Sequence, residues 1–400
     1  MLNPALDRLQ DYPFARLAKL IAGVDPPAEK TPIVMSIGEP QMNPPGFVPE
    51  ILQREAAGWG KYPPAAGTPE LRQAIVDWLA RRYALPAGAL HPDRHVFPVA
   101  GTREALFQAA LIAVPPQKGG GQPIVLAPNP FYQVYIGAGV MSGAQTVLLP
   151  TSQASGFLPD LDAIDAATWQ RTALVYLCTP ANPQGSVATL DYLIKALELC
   201  RRHDAVLVLD ECYAEIYRDA PPAGGLQAAM ALKGKGDGEV FANLLVFHSL
   251  SKRSSAPGLR SGFVAGDARL IELIGRLRSY GGASVPLPIM AASTALWRDE
   301  AHVEAVRARY NACFDVAAQL LHNRLGFYRP AGGFFLWLDV GDGEAATRAL
   351  WAEGGVKALP GLYLARGEGE DNPGRRYIRL ALVHDVATTR EAMQRVARIL

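Results

Sequence analysis

Lys252 stands among small hydroxyls: Ser249 and Ser251 precede it, Arg260 follows eight residues later, and the run Ser261-Gly262-Phe263-Val264-Ala265-Gly266 comes next. A lysine amine can condense with an aldehyde to form a Schiff base, which is how a protein anchors a cofactor that stabilises a carbanion beside an amino group. A cofactor of that kind carrying a phosphate needs hydroxyls and a guanidinium for the dianion, and Ser249, Ser251 and Arg260 offer both. A solvated Ser/Lys loop explains the local composition as well, so the rest of the chain has to decide.

Other polar residues follow apolar strands at regular intervals. Strand Val96–Val99 leads into Gly101-Thr102-Arg103 and the apolar helix Ala105–Val114. A glycine turn into a helix directs free backbone N–H groups and the helix dipole at one point, suiting an anion or simply capping the helix. Strand Ile124–Ala127 precedes Asn129-Pro130-Phe131-Tyr132, strand Leu174–Cys178 precedes Asn182-Pro183, and strand Ala205–Leu209 ends in Asp210-Glu211-Cys212-Tyr213. A strand over Ile33–Ile37 enters Gly38-Glu39-Pro40, where Gly38 lets a backbone N–H approach a ligand carboxylate. Leu244–Phe247 delivers the lysine loop, and Gly262–Ala265 lies beyond it.

The elements that must position these residues are mostly continuous apolar strands alternating with helices, such as Leu190–Arg202. That pattern predicts a mostly parallel sheet covered on both faces, with ligands at the carboxyl ends of its strands. Thr68 reads as an N-cap with Pro69 in the first helical position, and the helix runs to about Tyr83. Residues 1 to 30 form an arm with a short amphipathic stretch, and the segments Pro221–Gly225 and Lys233–Gly238 read as surface loops. After the Pro286-Leu287-Pro288 break come one long helix over Ala292–Leu325, strand Gly332–Leu338, helix Glu344–Glu353, strand Tyr377–Leu382 and a terminal helix.

A chain of 400 residues exceeds one usual core, and 49% hydrophobic against 19% charged residues describes a folded protein of about two domains. A net charge of +1 gives no field to attract nucleic acid or a membrane surface. Cys178, Cys200, Cys212 and Cys313 lack metal or disulfide spacing, so no metal site is expected and all four read as ordinary buried thiols. The first twenty residues hold Asp7, Arg8, Asp11, Arg16 and Lys19, so no signal core is present and a cytoplasmic location is expected.

In this order the signals resemble the fold-type I, pyridoxal-phosphate-dependent aminotransferases of class I and II, from Gly38 to Arg379. The resemblance implies an α/β fold: a large domain with a mostly parallel mixed sheet between helices, plus a smaller α+β domain. The implied boundaries are 1–45 for the arm and part of the small domain, 46–290 for the large domain and 291–400 for the small C-terminal domain. It implies pyridoxal 5'-phosphate as cofactor and Lys252 as the Schiff-base lysine. Asp210 would face the pyridine nitrogen, Tyr213 and Asn182 the phenolic oxygen, and Tyr132 the ring. Gly101, Thr102, Arg103, Ser249, Ser251 and Arg260 would cup the phosphate. Tyr62 would reach the phosphate of a neighbouring subunit, implying a homodimer with shared sites, and Asn182-Pro183 matches a frequent cis peptide. Arg379, with Gly38 and Asn182, would take the substrate α-carboxylate.

Within the family, Ser36-Ile37-Gly38-Glu39-Pro40, Asn129-Pro130-Phe131-Tyr132-Gln133-x-Tyr135, Gly156-Phe157-Leu158-Pro159-Asp160-Leu161 and Phe247-His248-Ser249-Leu250-Ser251-Lys252 are similar to bacterial succinyldiaminopimelate aminotransferases. That subfamily, in lysine biosynthesis, moves an amino group between glutamate and N-succinyl-2-amino-6-oxoheptanedioate. Another amino acid donor, or carbon–sulfur cleavage on the same lysine cradle, are the alternatives. A regulatory protein would need a DNA-binding segment, and the core here is expected to start by about residue 33. Tyr280-Gly281-Gly282-Ala283-Ser284, where aspartate-type relatives place a side-chain-reading arginine, has none. Arg16 on the arm is the residue expected to read the distal end of the substrate.

Overall fold

The computed structural model describes residues 2–234 and 239–400, so the loop expected at 233–238 lies outside the described residues from 235 onward. Among the described residues are twelve strands: β1 Ile33–Val34, β2 Val96–Val99, β3 Ile124–Asn129, β4 Gln145–Pro150, β5 Thr172–Cys178, β6 Val206–Asp210, β7 Leu244–Ser249, β8 Gly262–Gly266, β9 Phe335–Asp339, β10 Val356–Lys357, β11 Leu359–Pro360 and β12 Tyr377–Ala381. Seven of them form one sheet in the order β2-β8-β7-β6-β5-β3-β4, and β8 alone runs against its neighbours. The fold is therefore the mostly parallel, mixed sheet of the fold-type I class.

Alternation along the central strands explains why both faces are covered. Leu207 and Leu209 enter one core with Trp78, Phe263 and Trp297, while Val206 and Val208 enter the other with Leu106, Tyr135 and Phe247. Fully burying such a side chain contributes about 1.5–3 kcal/mol relative to exposure, so a one-residue slip of β6 would forfeit both faces. The helix Pro69–Arg82 begins as its sequence dictates: Thr68 Oγ1 accepts from Leu71 N at 3.3 Å, and Pro69 is the first helical residue. No helix among the described residues is long and apolar enough to cross a membrane.

The carboxy-terminal part builds a separate three-stranded antiparallel sheet, β11-β12-β9, and β1 pairs in parallel with β10. Ile33 and Met35 are thus buried with Leu336, Leu380 and Val396, tying the segment after the arm to the smaller core.

Two expected elements differ. The strand predicted over 33–37 ends at Val34, because Ser36 and Gly38 turn their carbonyls toward Arg379 and Lys252 instead of continuing a ladder. The single helix predicted over 292–325 is two helices, Leu287–Arg298 and Ala301–Leu321. Asp299 between them is extended, at φ −96° and ψ 127°, and its carboxylate accepts from His302 N at 3.1 Å. Arg253 takes the carbonyls of Leu296 and Asp299, which stops the first helix by satisfying its last oxygens. The second helix ends at Leu321, before Asn323 and Leu325, whose φ values of 61° and 53° no helix tolerates.

Candidate active site

A cavity of about 530 Å³ opens at the carboxyl ends of β5, β6 and β7, within the range of about 300–1,000 Å³ usual for small-molecule sites. Its wall includes Thr102, Arg103, Tyr132, Asn182, Asp210, Tyr213, Ser249, Ser251, Lys252, Arg260, Gly38 and Arg379. The structure therefore gathers from seven separate stretches of chain most of what the sequence singles out.

Lys252 lies in the one-turn helix Leu250–Arg253, which β7 launches and Ser249 caps by accepting from Ser251 N at 3.1 Å. Its Nζ donates to the carbonyl of Gly38 and sits 5.4 Å over the Phe334 ring. Burial pulls the ammonium down to about 8, opposed by Cys212 and aided by Arg379. An amine with a pKa of about 8 has a far larger uncharged, nucleophilic fraction near pH 8 than an ordinary lysine at 10.5.

Asp210 ends β6 and is buried. It accepts from Tyr135 Oη at 2.8 Å and from Cys212 N at 3.3 Å. Burial raises its pKa, and those hydrogen bonds work against the rise. Tyr135 is held flat against Tyr176, with ring centroids 4.6 Å apart. This partner of Asp210 has no role assigned by the sequence reading, although Tyr135 closes one of the quoted motifs. Cys178 and Cys212 also line the cavity, a position that scattered spacing does not reveal.

Arg379 projects from β12 and is buried. It donates to Asn182 Oδ1 at 2.9 Å and to the Ser36 carbonyl at 2.8 Å, while Phe335 lies 4.3 Å below it. Its Nε has no partner. Burial lowers its pKa to about 10. Among the described residues no carboxylate pairs with Arg379, Arg103 or Arg260, whose side-chain bonds run to neutral oxygens. The wall thus carries Arg103, Lys252, Arg260 and Arg379 against only Glu39 and Asp210, a surplus of positive charge that suits anionic ligands.

Gly101 explains how one anion could be held. Its φ is +86°, and a Cβ built there would overlap the Arg260 guanidinium, so only glycine lets that side chain lie across the helix start at Thr102. The peptide bond Asn182-Pro183 is cis, as are Asn129-Pro130 and Thr179-Pro180.

Three expected residues are not on the wall: Gly101, which lies behind the Arg260 guanidinium, Tyr62 and Arg16. Tyr62 is fully exposed and does not line the cavity of this chain. Arg16 is likewise absent from the wall, because its guanidinium stacks 4.0 Å over Tyr363, which does not line the cavity. The arm meets the cavity through Tyr12, Pro13 and Phe14 instead.

Residues 30–396 match the family model for aminotransferase class I and II. The chain belongs to the class I and II aminotransferases. It is 31% identical over 394 residues to the LL-diaminopimelate aminotransferase of Desulforudis audaxviator, covering 97% of this chain and 95% of that protein. With the LL-diaminopimelate aminotransferase of Moorella thermoacetica it shares 32% identity over 402 residues, 98% of this chain and 96% of that one. Among solved structures, an aminotransferase from Neisseria meningitidis superposes with a TM-score of 0.92 at 40% identity, covering 99% of both chains.

Aminotransferases of this class use pyridoxal phosphate, and the cavity fits it. When bound, that cofactor supplies an electron sink for the pair released at the substrate α-carbon. Lys252 would offer the amine, Asp210 an acceptor for a protonated ring nitrogen, and Thr102, Ser249, Ser251 and Arg260 the donors for a phosphate. Tyr132, whose Oη accepts from Arg103 Nε at 2.8 Å, stands where an aromatic could cover the ring.

Proposed function

We propose that this aminotransferase moves an amino group between glutamate and N-succinyl-2-amino-6-oxoheptanedioate, an oxo acid with carboxylates at both ends. In this reading Lys252 carries the cofactor and shuttles the proton at the reacting carbon, and Asp210 keeps the ring nitrogen protonated. Tyr213 and Asn182 bond the phenolic oxygen, and Arg379 takes the α-carboxylate. The observation that carries the reading is that two guanidiniums on one cavity wall, Arg379 and Arg103, have no carboxylate partner among the described residues. With Arg16 stacked on Tyr363, Arg103, which the family resemblance placed at the phosphate and which here donates to Tyr132 Oη, is reassigned to the distal carboxylate, leaving Thr102, Ser249, Ser251 and Arg260 for the phosphate. A buried carboxylate without such a partner costs several kcal/mol, so a two-ended substrate needs two cations.

The quoted sequence motifs favour the succinylated substrate. The names of the relatives in Desulforudis audaxviator and Moorella thermoacetica favour unsubstituted LL-diaminopimelate as a second reading. Tyr62, fully exposed here, supports a homodimer in which it enters the neighbouring site.

The test is a single-turnover screen of the cofactor-loaded chain, following cofactor absorbance with glutamate, N-succinyl-LL-diaminopimelate, LL-diaminopimelate, aspartate, alanine and cystathionine. Rapid amination by glutamate and the succinylated compound is expected. Preference for LL-diaminopimelate would move the assignment to the second reading, and pyruvate and ammonia released from cystathionine would overturn both.

A further inference from the structure

The lysine loop is only partly self-supporting. Ser249 and Ser251 bond each other before Lys252, at 2.9 Å between hydroxyls, and the backbone of Ser254 and Ala256 returns to Leu250 O, but the side chains of Arg253 and Ser254 are fastened elsewhere. Ser255 holds φ +48°, a left-handed conformation that serine keeps only when its surroundings impose it.

The surroundings are the joint between the helices Leu287–Arg298 and Ala301–Leu321. Arg253, directly after Lys252, donates to Leu296 O at 2.7 Å, Asp299 O at 3.2 Å and Glu300 Oε1 at 2.7 Å, and lies 5.0 Å over Trp297. Ser254, fully buried, meets His302 Nε2 at 2.8 Å, while His302 Nδ1 lies 2.5 Å from Asp299 Oδ2. A carboxylate only accepts, so Asp299 fixes the proton on Nδ1 and leaves Nε2 to accept from the Ser254 hydroxyl. The helix begun at Ala301 also reaches Lys252 from the opposite side. Its Tyr310 lies 5.1 Å from Phe334, the ring beneath the Lys252 ammonium.

We propose that Arg253 and His302, the latter acting through Ser254, are positioning residues that bolt the lysine loop to this interhelix joint and hold Lys252 at the depth where Gly38 receives it. The inference rests on Lys252 being the cofactor-bearing lysine, and it adds what sets the lysine's environment.

Its consequence is electrostatic. Lys252 faces Cys212 and Glu39, which favour its charge, and Arg379 and Arg103, which oppose it, while burial is the largest influence and lowers its pKa. His302 faces Asp299 and Arg253, and burial lowers its pKa too, so it is neutral in the relay at ordinary pH. Freeing the loop admits water to the ammonium and lets the Lys252 pKa climb back toward 10.5.

The experiment measures how fast the cofactor-free chain takes up pyridoxal phosphate as a function of pH, by absorbance, for wild type, Ser254→Ala, His302→Ala and His302→Gln. Ser254→Ala and His302→Ala should move the midpoint up by about half a pH unit or more, which makes uptake about threefold slower below the midpoint. His302→Gln should recover most of the shift, since its amide can donate to Asp299 and accept from Ser254. Unchanged midpoints with only a lower Tm would overturn the proposal, and Ser254→Ala decides alone if His302→Ala does not fold. Lys252→Met run alongside should show no aldimine absorbance even where the cofactor binds; aldimine absorbance there would remove the lysine assignment itself.

Discussion

Tyr135 donates a hydrogen bond from its hydroxyl to Asp210 across 2.8 Å, deep inside the protein. A buried carboxylate that loses such a donor pays about 1–3 kcal/mol in unmet hydrogen bonding, and its pKa climbs further. Tyr135→Phe should therefore lower kcat/KM by roughly tenfold, with the fold intact because the ring still stacks on Tyr176. Unchanged kinetics in Tyr135→Phe would mean that Asp210 needs no help to stay ionised.

Asp210→Asn should keep cofactor binding and lose most turnover, because an amide cannot hold a ring nitrogen protonated. A rate within about tenfold of wild type, or about 1.4 kcal/mol of barrier, would make Asp210 a structural residue.

Selectivity divides between the two unpaired guanidiniums. Arg379→Lys should weaken every substrate by roughly tenfold to a hundredfold, because an ammonium cannot make the two-pronged bond to a carboxylate. Arg103→Gln should instead penalise two-ended substrates and leave alanine almost unaffected, while Arg16→Ala should change little. Steady-state kinetics on the three variants with both substrate kinds check this, and a selective loss in Arg16→Ala would reinstate the arm as the reader of the distal group.

The depressed Lys252 predicts a pH signature in the cofactor-free chain. The folded-state pKa near 8 lies below the unfolded value of 10.5, so between them the unfolded chain binds more protons and this group makes folding more favourable as pH rises. Below about pH 8 the fold carries the full cost of a buried ammonium. Lys252→Met should accordingly raise Tm relative to wild type at pH 7, with the gap closing as pH approaches 10.5. A gap that does not change with pH would contradict the depressed pKa.

Lys252 and Asp210 are legible in the sequence because each sits at or just beyond the end of an apolar strand, and strand ends in a parallel sheet converge whatever the loops do, whereas Arg379, mid-strand in the antiparallel β12, is reached only through the family resemblance. Tyr135 is not, since its value depends on which face of the helix Gln133–Met141 meets β6. The break at Asp299 is hidden for a similar reason: nothing local ends the helix, and Arg253 does so from 46 residues away. Arg16 shows the limit of reading an arm by its composition, because the ring that captures it, Tyr363, lies in another part of the chain.

The chemistry proposed for the cavity depends on which lysine holds the cofactor. Borohydride reduction of the loaded chain, followed by digestion and mass spectrometry, should find the reduced cofactor on the peptide containing Lys252 and on no other. An adduct on a different lysine, with Lys252 unmodified, would contradict it.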